Sequence, residues 1–227
     1  MKFTKESLNL EKTLDKEWII TNGIGGFASS TIIGANTRKY HGLLIAPILP
    51  PAKRMLILSK LDESIEIENK KYDLFSNIGK TYISQGYKYQ ESFEKDTLPI
   101  FTYKVEDIQI TKTICMEYQK NTVVVQYKIK NGEKPAKLIL GPIMNFRDIH
   151  GINHNHIYNL EQQVEDRKVV LKIDESCPIY INISEGKYIQ HQNDGFDGMF
   201  YMEEEKRGFE AVENHLVPGR YEISINP

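Results

Sequence analysis

The sequence predicts an all-β fold, an antiparallel β-sandwich in a single domain. Three observations carry that prediction. Apolar and polar residues alternate with period two from end to end, turn-forming residues interrupt the alternation at short intervals, and 13 Tyr and 9 Phe accompany few windows of helical period. The first 17 residues are polar and read as an ordered arm or a short helix ahead of a domain spanning 18–227. Ile65 to Glu68 fits a short strand. From Ile108 to Tyr118, one face carries Ile108, Ile110, Ile114 and Met116, and the other carries Gln109, Thr111, Thr113 and Glu117, the pattern of a strand with one wet face. Val123, Val125, Tyr127 and Ile129 repeat it until Asn131-Gly132 breaks the run. Val169 to Ile173, Ile179 to Ile183, Met199 to Met202 and Tyr221 to Ile225 complete the set. Asn69-Lys70-Lys71, Glu106-Asp107, Glu133-Lys134-Pro135, Glu185-Gly186 and Pro218-Gly219 supply the turns. Many short strands at this spacing pack as sheets face to face.

Composition narrows the function. The 29 Lys+Arg against 31 Asp+Glu leave a net charge of −2 with both signs interspersed, which excludes a nucleic-acid binder driven by a strong basic field. The longest apolar run, Leu43 to Ala52, is interrupted by Pro47, Pro50 and Pro51 and is far shorter than the ~20 residues of a spanning helix. No membrane insertion is expected. The N-terminal residues lack the apolar stretch of a secretory signal, so a cytoplasmic location is expected. Cys115 and Cys177 lie far apart and read as reduced thiols, not as a disulfide framework or a zinc site. With no internal repeat, low-complexity tract or linker, one domain is the simplest organisation of 227 residues.

The most informative segment is Trp18 to Ala46. Gly23-Ile24-Gly25-Gly26-Phe27-Ala28 matches a dinucleotide fingerprint in form, but the β-rich Ser29 to Ile33 follows where a helix is needed, and no acidic residue stands about 20 positions on. Its glycines then serve a turn or bulge. Downstream, Arg38, Tyr40 and His41 offer planar donors and a ring face suited to sugar hydroxyls. The structural alternative pairs Arg38 with a carboxylate and makes His41 a satisfied core residue. Asn145-Phe146-Arg147-Asp148-Ile149-His150, with His154 and His156 beyond, concentrates polar chemistry in a loop where a metal is conceivable and a hydrogen-bonded brace is the plainer reading. Near the C-terminus, Glu203 to Arg207 reads as a solvated face, with Arg207 and Glu213 a possible ion pair between strands. Glycoside cleavage needs two carboxyl groups at defined separation; among Asp148, Asp194, Asp197, Glu203 and Glu213 the spacing selects no pair. A nucleophile elbow and a P-loop are absent.

Taken in order, the blocks EWIITNGIGGFASSTIIGANTRKYHGLLIA, PPAKRMLILSKLDE, FRDIH and YMEEEKRGFEAVENHLVPGRYEISI resemble the N-terminal domain of bacterial and archaeal glycogen debranching enzymes, over nearly the whole chain from about Glu17. The resemblance implies a super-β-sandwich that precedes an α/α-barrel holding the catalytic carboxylates, which remove α-1,6-linked glucose at branch points. It implies a non-catalytic domain, a fragment or separately expressed unit, whose partners are that C-terminal barrel and an α-glucan such as glycogen or limit dextrin, with no cofactor and no metal. The expected substrate or interface residues are Asn22, Gly25, Gly26, Arg38, Tyr40, His41, Arg147, Asp148, His150, Arg207 and Glu213, set in loops on a rigid scaffold. One departure is Asn214, where the family tends to carry Asp. The rival expectation is a stand-alone α-glucan-binding module, for which Tyr82, Tyr87, Tyr89 and Phe93 would supply aromatic rings, Tyr87 and Tyr89 on one strand face.

Overall fold

Two long strands, Lys53–Ile67 and Ala136–Asp148, run antiparallel at the centre of the fold, with Leu138 opposite Ile65 and Asp148 opposite Met55. In the computed structural model, which describes residues 1–49, 53–155, 158–174, 176–192 and 194–227, they anchor a ten-stranded antiparallel sheet. Gly42–Leu49, Phe27–Thr31 and Glu17–Thr21 extend it on one side; Gly219–Ile225 and Lys187–Gln190 extend it on the other. A five-stranded sheet combines Lys2–Thr4, Gln90–Lys95, Pro99–Val105, Ile108–Met116 and Val123–Lys130. A third, three-stranded sheet holds Leu160–Glu165, Lys168–Ile173 and Ile179–Asn182. The all-β sandwich expected from the alternation is therefore the observed architecture.

One apolar core joins the three sheets. Ile108, Ile110 and Ile114 point inward from the five-stranded sheet, Ile65, Leu138 and Leu140 from the ten-stranded sheet, and Val169, Leu171 and Ile173 from the third. Edge-on ring contacts reinforce it, Phe93 on Phe101 at 4.8 Å and Trp18 on Phe101 at 6.2 Å between centroids. Each buried ring or branched chain contributes about 1.5–3 kcal/mol of transfer free energy, so the alternating faces determine which way each strand turns.

Several local expectations change. Ile65 to Glu68 is the end of the 15-residue Lys53–Ile67 strand. The apolar run Leu43 to Ala52 is a strand through Leu49, and Pro50, Pro51 and Ala52 lie outside the described residues. Met199 and Phe200 are the last two residues of a strand, Gly195–Phe200, and Met202 opens a short helix, Met202–Lys206. In the N-terminal 17 residues, Lys2–Thr4 is an edge strand and Leu10–Thr13 a single helical turn capped by the Asn9 side chain. The aromatic row does not form: Gly86–Tyr89 is a 3-10 turn, Tyr89 meets Tyr72 edge-on and Phe93 is fully buried.

Candidate functional site

Where Ala136–Asp148 leaves its partner strand, the register slips between Ile143 and Met144 and again between Met144 and Arg147. Such bulges re-aim side chains, and here Arg147 meets Glu213 of the Val212–Leu216 strand. Arg147 is 7% exposed, yet all five of its guanidinium N–H bonds are used. Nε donates to Glu213 Oε1, Nη2 donates to Glu213 Oε2 at 2.8 Å and to Lys39 O at 2.8 Å, and Nη1 donates to the carbonyls of Asp148 and Ile149 at 3.0 and 3.2 Å. Glu213 is equally saturated. Its remaining acceptor sites take the Tyr201 hydroxyl and, at 3.0 Å, the Asn153 amide. Burial alone would push the Glu213 carboxyl up, but the Arg147 hydrogen bond holds it below the usual carboxylate value. An ionised carboxylate with every acceptor site occupied has no position left for proton transfer to a substrate.

This corrects the pairing expected from sequence. Glu213 bonds Arg147, 66 positions away, whereas Arg207 closes a turn with Glu204 in the Met202–Lys206 helix. Nor is the Glu203 to Arg207 run wholly solvated, since Glu204 is buried and Glu203 N donates to Thr37 O at 3.0 Å.

Arg147 thus ties the Arg38–His41 loop to the Asp148–Gly151 turn. Above it, Lys39 Nζ donates to His150 O at 2.7 Å, and Tyr40 meets His150 both through its hydroxyl, 3.2 Å from Nδ1, and ring edge to face at 5.8 Å. Asp148 Oδ1 accepts the His150 amide at 2.9 Å, a local turn, and the rest of its carboxylate faces outward. Phe209, 58% exposed, lies beside them with Lys39 Nζ at 5.8 Å and the Arg207 guanidinium at 5.3 Å from its ring centre.

Arg38 and His41 take the structural alternative. Arg38 Nε donates to Glu17 Oε1 at 2.7 Å. His41 is buried; Thr37 N donates to its Nδ1 at 3.1 Å, which leaves the Nε2 proton facing Glu17 Oε1 at 3.5 Å. Burial pushes Glu17 up, and the hydrogen bonds from His41 and Arg38 bring it below its ordinary value.

The Asn22 to Gly26 loop is committed elsewhere. Asn22 Oδ1 accepts the amides of Gly26 and Ile24 at 2.9 and 3.2 Å, and Nδ2 donates to Lys120 O at 2.9 Å in the turn that joins two strands of the five-stranded sheet. Gly25 has φ +95°, a left-handed conformation natural to glycine, and a Cβ on Gly26 would stand 2.5 Å from Asn22 Nδ2. A strand follows, not the helix a dinucleotide site requires. Asn22→Ala leaves buried amides without acceptors and is expected to cost about 1–3 kcal/mol in urea unfolding.

The sequence did not single out Tyr201, His215 or Glu17. The usable signal was the strand Val212–Leu216, where Glu213 and His215 share a face with period two and are both buried. Asn214 uses both ends of its amide: Oδ1 accepts Gly198 N at 2.9 Å and Nδ2 donates to His154 O at 2.8 Å, the second of which an aspartate cannot do. His154 also pairs with Glu210 at the surface, 2.7 Å apart, while His156 lies outside the described residues. Among the described residues no group of three or more His, Cys, Asp or Glu is placed to hold a metal ion, and no helix is long and apolar enough to cross a membrane.

Among curated proteins no sequence matches the chain. The family model described as glycogen debranching enzyme N terminal matches residues 16–227, from just before the first strand of the ten-stranded sheet to the last residue, including every loop of the Arg147 site. The chain therefore belongs to the glycogen debranching enzyme N-terminal family.

Proposed function

We propose that the chain is a non-catalytic β-domain that packs on the α/α-barrel of a cytoplasmic glycogen debranching enzyme and helps to shape the pocket in which α-1,6 branches are cleaved. The surface turned to that partner is formed by Lys39, Tyr40, Asp148, His150 and Phe209. The observation that supports this most is the buried Arg147–Glu213 pair, which locks two loops and a strand from distant parts of the chain into one surface and commits its own ionisable groups to doing so. Such saturation suits a preorganised contact surface and not an acid–base pair. Arg38 and His41 hold the loop from beneath, and Asn22, Gly25 and Gly26 brace the neighbouring end of the sheet.

The isolated chain is expected to release no glucose from branched limit dextrin and to bind maltoheptaose only weakly in calorimetric titration. In an enzyme that joins it to a catalytic barrel, Tyr40→Ala with His150→Ala is expected to raise KM for limit dextrin or weaken domain association by about tenfold, the effect of losing ~1–2 kcal/mol of contact. Tight maltoheptaose binding by the chain alone would instead establish a stand-alone glucan-binding module, and released glucose would make the chain an enzyme in its own right.

A further inference from the structure

We infer that the centre of the sandwich is a hydration site, where one resident water joins the ten-stranded and five-stranded sheets through Lys112, Glu63 and Tyr103. Lys112 occupies the inward parity of Ile108, Ile110 and Ile114 and is buried among them, opposite Glu63 of the Lys53–Ile67 strand. Its ammonium donates to Glu63 Oε1, which also accepts the Tyr127 hydroxyl at 2.7 Å. That leaves spare capacity on three buried groups. Among the described residues, Lys112 Nζ makes a single hydrogen bond, to Glu63 Oε1, and both hydrogen bonds of the Glu63 carboxylate fall on that same oxygen, which leaves Oε2 and the Tyr103 hydroxyl to the space between the sheets. All three residues line the same cavity of about 20 Å³ between the sheets.

That volume suits one water, which needs roughly 10–15 Å³ and two to four polar partners. The surrounding chemistry selects a neutral ligand that both donates and accepts. A cation would meet the Lys112 ammonium and an anion the Glu63 carboxylate, whereas water accepts from Lys112, donates to Glu63 Oε2 and exchanges a hydrogen bond with Tyr103. Lys60 borders the same space but does not compete, because its three donors reach Gly34 O, Ser76 O and Asn77 Oδ1. Leaving the three groups unpaired in a dry interior would be costly, so the water completes a polar pin between two apolar layers.

Tyr103→Phe tests this by the sign of its effect. If the hydroxyl bonds a water, its removal lowers the thermal midpoint of the full chain by about 2–4 °C, the shift expected for ~1 kcal/mol in a chain of this size. If the hydroxyl faces no partner, its removal leaves the midpoint unchanged or raises it, and the inference fails. High-resolution diffraction reads the site directly. A single ordered peak within hydrogen-bond distance of Tyr103 Oη, Lys112 Nζ and Glu63 Oε2 is expected; direct contact of Tyr103 with Glu63, or no peak between the sheets, would overturn it.

Discussion

Arg147→Ala is expected to lower the free energy of unfolding by about 3–5 kcal/mol, because it strands Glu213 as a buried carboxylate without a counter-charge. The same change removes the donors to Lys39 O, Asp148 O and Ile149 O, so the Arg38–His41 loop and the Asp148–Gly151 turn lose their common anchor. The loss should concentrate in amide exchange of those two segments. Arg147→Met combined with Glu213→Leu, which removes both charges and keeps the volume, is expected to recover most of the global stability while leaving the two loops mobile. Urea denaturation of the single and double variants separates the charge penalty from the loss of loop anchoring. A single variant as stable as the parent would show that Glu213 is not buried as an ion.

Acidification between pH 6.5 and 4 is expected to remove about 3 kcal/mol of stability through His215. Burial pushes this fully buried imidazole down to about 4, opposed by the Glu213 carboxylate and reinforced by Arg147. Through that window the unfolded chain takes up a proton at His215 that the folded chain does not, so the unfolded state binds more protons and stability falls as pH drops. Glu213 works in the same direction at lower pH, since its folded-state value lies below the ordinary 4.5 and its contribution disappears as the carboxylate protonates. Urea midpoints measured from pH 7 to pH 4 should fall steeply, and His215→Gln should flatten that slope. An NMR titration of the His215 ring in the folded protein provides a second reading, and a midpoint near 6.5 would contradict the burial argument.

What the sequence made legible follows from which faces meet water. Ile108–Met116 was readable because its outer positions Gln109, Thr111 and Thr113 are polar, so period two stands out. Ala136–Asp148 and most of Lys53–Ile67 were not, because apolar residues stand on both parities, as at Leu138, Ile139 and Leu140, and burial runs unbroken from Pro142 to Asn145, so period two does not stand out. Lys112 sits on the inner parity of a strand otherwise apolar there, and only the opposing Glu63 explains why it is tolerated. In the site, the FRDIH block and Glu213 both attracted notice for their chemistry. Their pairing was invisible, because two register slips decide where Arg147 points and such bulges depend on the partner strand. Sequence proximity favoured Arg207 as the partner of Glu213, and the short helix at Met202–Lys206 turned Arg207 to Glu204 instead. Glycine positions were better served: Gly25 and Gly26 read as turn residues, and the structure gives each a steric or conformational reason.

Hydrogen–deuterium exchange, compared between the isolated chain and an enzyme in which it precedes an α/α-barrel, is the most direct measurement of the proposed role. New protection is expected at Lys39–His41, Asp148–Gly151 and Arg207–Glu210, with Asn22–Gly26 unchanged because its amides are already committed to the Asn22 side chain. If those three segments exchange equally in both forms, and protection appears instead on the Leu160–Glu165 strand of the small sheet, the Arg147-locked surface is not where this domain meets its partner.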